Sequence, residues 1–100
     1  MNYSLLLSLD AQQDILDSIA FYNLEKENLG FEFYDRVIEK LTPITNNPHH
    51  YAVRFGDIRT SMVARFPYLI YFRVKKVKSI IIVLGILHTS RNPQIIKKRK

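Results

Sequence analysis

Apolar residues recur at helical spacing in the first half of the chain and at strand spacing in the second. Ala11, Ile15, Ile19 and Tyr22 stand four, four and three residues apart, the stripe of an amphipathic helix. Tyr3 to Leu7 reads as a short strand before it, and Ser8 or Asp10 can cap the helix by accepting from a free N–H of its first turn. Gly30 is expected to end this helix or the turn after it. A second stripe of Phe31, Tyr34, Ile38 and Leu41, flanked by Val37, completes a helical hairpin. Pro43 has no N–H to donate, so this helix is expected to kink or end near Lys40 to Thr42.

From Tyr51 onward the period is extended. Tyr51 to Phe55 reads as a short arm, Gly56-Asp57 as a turn and Ile58 to Ala64 as a strand. Pro67 bends the chain into Tyr68 to Val74, and Lys75 to Ser79, lacking glycine, predicts a hairpin loop longer than two residues. Ile80 to Leu87 is apolar at odd and even positions alike, the mark of a central strand covered on both faces. Asn92 and Pro93 can open a last short helix, and Lys97-Lys98-Arg99-Lys100 is expected to be loose. The order is β-α-α-β-β-β: an α+β domain over residues 1–100, its helical hairpin packed on a small, mainly antiparallel sheet, with a basic tail at about 94–100.

Charge sharpens this picture. Residues 1–50 hold three Lys and Arg against eight acids, and residues 51–100 hold twelve against Asp57 alone. Pairing within the chain cannot cancel such an excess, so the strand half should offer a basic face to an anionic partner. The chain has no cysteine, which removes disulfides and thiolate metal sites and fits a cytoplasmic location. The N-terminus has no signal-peptide pattern, and Ile80 to Leu87 is too short to span a bilayer, so no membrane association is expected. His49 and His50 lie beside Tyr51 without further ligands near them, so neither a metal nor a cofactor is expected.

The candidate chemistry lies in the strands. His88 suits general acid–base work because imidazole titrates near neutrality. Arg59, Arg65 and Arg91 suit phosphate, since guanidinium binds two oxygens at once. Tyr68 and Tyr71 can stack bases or donate hydrogen bonds. On one regular strand Arg59 and Arg65 would stand about 20 Å apart, whereas His88 and Arg91 are close. The bland alternatives are an Arg59 paired with Asp57 or Asp14, a solvated Arg65, a His88 that caps the sheet and tyrosines that only pack.

These residues together resemble the RelE/ParE superfamily of toxins from type II toxin–antitoxin modules. The resemblance runs from about Tyr3 to Pro93. It rests on Ala11, Asp14, Ile15, Ile19 and Tyr22, then Gly30, Phe33, Leu41 and Pro48. Ile58-Arg59, Phe66-Pro67-Tyr68 with Ile70-Tyr71, and Leu87-His88 with Arg91 and Pro93 continue it. It implies a growth-inhibiting toxin of the plasmid-stabilization kind, neutralised by a cognate antitoxin, as a homodimer or a heterotetramer with it. RelE-like members are mRNA interferases acting with the ribosome; ParE-like members inhibit DNA gyrase without nuclease activity. Residues 89–100 lack the tyrosine that RelE-like nucleases often carry there, which favours the ParE-like branch. Under that reading Arg59, Arg65, Tyr68, Tyr71, Arg73, Arg91, Lys97, Lys98 and Arg99 form the partner- or nucleic-acid-binding set. Under the nuclease reading His88, Arg91, Arg65 and Arg59 are catalytic. A basic binding module or decayed toxin is the remaining alternative.

Overall fold

Two helices lie across one face of a five-stranded sheet, and the end of the chain folds back onto the other face. The computed structural model describes residues 3–99. Strand β1 (Ser4–Leu7) leads into α1 (Leu9–Glu25) and α2 (Leu29–Asn46), followed by a 3-10 turn at Pro48–His50. Strands β2 (Val53–Phe55), β3 (Ile58–Met62), β4 (Tyr68–Lys75) and β5 (Ile80–His88) follow, then α3 (Gln94–Lys97). The sheet order is β1-β5-β4-β3-β2, with β1 parallel to β5 and every other pair antiparallel. The expected short arm is thus a true edge strand, which adds one β to the expected order. Among the described residues no helix is long and apolar enough to cross a membrane.

The first helix follows its sequence pattern. The Ser8 hydroxyl accepts from the Ala11 N–H at 3.0 Å and caps α1, while Ala11 and Ile15 are buried and Ile19 and Tyr22 pack at the margin of the core. The second helix corrects the expectation. Its buried stripe is Gly30, Phe33, Val37 and Ile44, whereas Phe31, Tyr34 and Ile38 remain 56%, 41% and 40% exposed. This helix carries apolar residues on two faces, and aromatic stacking chose between them: Phe33 packs on Tyr22, Phe66 and Tyr68. Gly30 does not end the first helix but sits in the first turn of the second. A Cβ there would overlap the Ile19 carbonyl, so it marks the close approach of α1 and α2. Pro43 does not end the helix either. One hydrogen bond is forgone, but the wholly buried Ile44 and the bond from the Tyr3 N–H to the Thr45 carbonyl hold the last turn in place.

Strand β5 is covered on both faces, as its composition predicts. Ile81, Val83 and Ile86 face the helices; Leu84 and Leu87 face α3, together with Ile58, Leu69 and Tyr71. The step from odd to even numbering on the helix face reflects a bulge. Tyr71 pairs with Gly85 and Phe72 with Val83, leaving Leu84 as the extra residue. The loop after β4 is four residues long, and Ser79 closes it at φ 52°.

Candidate functional site

The site is built where β5 outruns its neighbour. β1 pairs with β5 only as far as Leu7 opposite Val83, so on the side away from β4 the Leu84–His88 edge has no strand beside it among the described residues. Bare edges carry free N–H and C=O groups that must find partners. Here Asp14 Oδ2 accepts from the Ile86 N–H at 3.0 Å, and Arg99 Nη1 donates to the Leu84 carbonyl at 3.1 Å. The two side chains also bind each other, Arg99 Nη1 and Nη2 donating to the two Asp14 oxygens at 2.6 and 3.1 Å, and Arg99 Nε lies 3.8 Å from Asp10. Asp14 is 13% and Arg99 16% exposed, so little water competes, and the bond to Asp14 raises the Arg99 pKa further. Gly85 makes room for this clamp: a Cβ would stand 2.5 Å from Ile96 Cδ1 and 2.6 Å from Arg99 Nη1.

Beside the clamp a cleft of about 80 Å³ opens between α1 and the end of β5, lined by Asp14, Asp17, Ser18, Tyr68, Ile86, Leu87, His88 and Arg91. His88 lies opposite Tyr68 in the ladder, with ring centroids 5.4 Å apart and edge to face. Its Nδ1 accepts from the Ser90 N–H at 3.0 Å, so the neutral ring carries its proton on Nε2. It can donate from there, but its only lone pair is already engaged. Burial and the hydrogen bond to Tyr68 push the Tyr22 phenol up to about 12, which keeps it protonated behind the cleft. The exposed Arg91 meets no carboxylate at ion-pairing distance among the described residues. The nearby Asp17 accepts from Gln13 Nε2 at 2.7 Å and has no cationic partner there.

The structure brings His88, Arg91 and Tyr68 together and disperses the other candidates. Arg59 holds the 3-10 turn by donating to the Tyr51 carbonyl at 2.6 Å, and pairs with neither Asp57 nor Asp14. Arg65 stands in the loop after β3 at φ 70° rather than on a strand, and pairs with Glu32 at 3.1 Å. Arg73 takes Asp57 at 3.0 Å. Lys97 lies 5.2 Å over the Phe55 ring, and Lys98 is exposed. Tyr71 is 1% exposed and cannot stack on a partner; Tyr68, at 7%, forms the floor of the cleft. The end of the chain is not loose: Ile96 is fully buried and Arg99 is the clamp. Lys100 lies outside the described residues. The clamp itself escaped sequence reasoning, and Gly85 inside an otherwise apolar strand was its one signal. Among the described residues no group of three or more His, Cys, Asp or Glu could hold a metal ion.

Comparison with solved structures places this fold. The chromosomal ParDE toxin–antitoxin system from P. aeruginosa superposes with TM-score 0.76 at 21% identity, covering 86% of this chain and 95% of that one. A mutant of E. coli toxin RelE in the free state gives 0.73 at 15%, covering 99% and 94%. The RelBE2 toxin–antitoxin complex from Mycobacterium tuberculosis gives 0.55 at 11%, covering 88% and 99%. At these identities the likeness is one of fold. Comparison with curated proteins returns no match. The family model for the ParE toxin of the type II toxin–antitoxin system, parDE, matches residues 5–93. With a match across nearly its whole length, the chain belongs to the ParE toxin family of type II toxin–antitoxin systems.

Proposed function

We propose that this toxin inhibits growth by binding a large cellular target, DNA gyrase being the expected one, rather than by cutting RNA. The charge of the His88 cleft carries this reading. Metal-free RNA cleavage needs a base for the 2′-hydroxyl, an acid for the 5′-oxygen and cations on the phosphate. Among the described residues that line the cleft, Arg91 is the one Lys or Arg and has no carboxylate at ion-pairing distance, while Asp14 and Asp17 line the same cleft. Arg99 is spent on Asp14, and Arg59 on the backbone near Tyr51. The His88 lone pair is taken by the Ser90 N–H.

A cognate antitoxin fits the same molecule at a different place. The groove lined by Leu7, Gln12, Ile15, Leu16, Ile19 and Tyr34 runs beside the exposed Phe31 and Ile38. An amphipathic antitoxin helix would bury it, and an acidic segment would reach the basic strands. The RelE-like reading keeps one supporting observation: the His88 Nε2–H and the Arg91 guanidinium share one cleft.

His88→Ala separates the two readings. A binding inhibitor should keep its toxicity within about threefold, whereas a nuclease should lose at least about 100-fold in cleavage rate. Induced expression with growth curves and mapping of message ends reads both outcomes. Loss of toxicity together with loss of message cleavage would overturn the proposal.

A further inference from the structure

We propose that the end of the sheet opposite the His88 cleft binds single-stranded nucleic acid, with phosphates on Lys75, Lys76 and Lys78 and a base in the hollow walled by Tyr3, His49 and His50. The inference stands apart from the choice of toxin target. β5 runs from Ile80 to His88, which separates the two ends by roughly 25 Å.

Three features meet there. The first is charge. Lys75, Lys76 and Lys78 are exposed on the β4–β5 hairpin, and among the described residues none has a carboxylate partner. The only acid in the adjoining segments is Asp57, which Arg73 engages. The second is shape. A hollow of about 420 Å³ lies between Tyr3, Asn46, Asn47, Pro48, His49 and His50, with Tyr3 and His49 edge to face at 6.1 Å. The third is continuity. The Ser4 N–H donates to the Ser79 carbonyl at 2.9 Å and the Tyr3 N–H to Thr45 at 3.4 Å, so hairpin, first strand and the end of α2 form one surface.

The chemistry selects the occupant. Rings offer stacking to any base, and the two asparagine amides can pair with base edges. α2 ends at the hollow, and carbonyls at a helix C-terminus disfavour an anion there. That assigns the base to the hollow and the phosphates to the lysines outside it. A base must leave its stack to enter, which selects a single strand over a duplex. An acidic peptide would satisfy the lysines but leave the rings and amides unused.

The test is fluorescence anisotropy of the full chain with a short labelled oligonucleotide, as single-stranded RNA and as DNA, titrated between about 50 and 200 mM salt. All five substituted side chains are exposed, and a thermal melt confirms folding. Replacing Lys75, Lys76 and Lys78 together by Gln should weaken binding about tenfold and reduce the log–log salt slope by about 2, at roughly 0.7 per phosphate contact on a single strand. Replacing His49 and His50 together by Ala should weaken binding about fivefold with the salt slope unchanged, the loss of one stacked base. RNA tighter than DNA would add the 2′-hydroxyl to the site; equal affinity would leave base and phosphate, and either supports the proposal. Absence of binding, or lysine substitutions without effect, would overturn it. So would a duplex that binds as tightly as the single strand, or a polyglutamate peptide that displaces the oligonucleotide at equal concentration.

Discussion

The two faces of the sheet are covered by different means. On one, two helices of 17 and 18 residues seal a core containing Phe33, Val37, Ile44, Ile70 and Phe72, all fully buried. On the other, a four-residue helix sets Ile96 over Leu84, Leu87 and Tyr71, and Arg99 reaches the sheet edge to grip Asp14. The first face rests on area, which is tolerant because many contacts share the load. The second rests on one fully buried anchor and on one arginine, Arg99, held by Asp14 and more distantly by Asp10, so a single substitution can undo it.

The largest effect should come from the helical face. Phe33→Ala removes a ring stacked on three others and should cost about 3–5 kcal/mol in urea unfolding. Asp14→Ala comes next, at about 3 kcal/mol, because it leaves Arg99 with only the more distant Asp10, at 3.8 Å, and the Ile86 N–H without its partner. Amide exchange at Ile86 should accelerate, and the Asp14→Ala/Arg99→Ala double variant should lose less than the sum of the two singles. If those losses simply add, the clamp is not a unit.

A pH titration probes the helical face alone. The Tyr22 phenol is raised from 10.0 to about 12 in the folded chain, so the unfolded chain loses this proton first. The Tyr22 contribution is therefore complete below about pH 10 and is lost as pH rises to about 12, and Tyr22→Phe should flatten that part of the curve. The smallest effect belongs to Arg65→Ala. Its bridge to Glu32 is 70% and 41% exposed at the two side chains, and the change should stay within about 1 kcal/mol in thermal melts.

Much of the fold was legible because its patterns were singular. α1 has one deeply buried stripe, and β5 is apolar on both faces, so each could be placed from spacing. α2 has two apolar faces, and only the packing of Phe33 among aromatic rings decides which is buried. Pro43 misled because tertiary contacts at Ile44 and Thr45 outweigh one absent hydrogen bond. In the site, the closeness of His88 and Arg91 followed from sequence. The role of Asp14 did not, since Asp10, Asp14 and Asp17 are alike as acids early in a helix. Arg99 was hidden in a run of basic residues, where nothing local separates a clamp from a solvated charge.

The decisive measurement is purified toxin against purified gyrase in a supercoiling assay, run beside purified translating ribosomes programmed with a defined message. Inhibition of supercoiling with the message left intact is the expected result. Message cut at the ribosome with supercoiling unaffected would contradict the account and return His88 and Arg91 to a catalytic role.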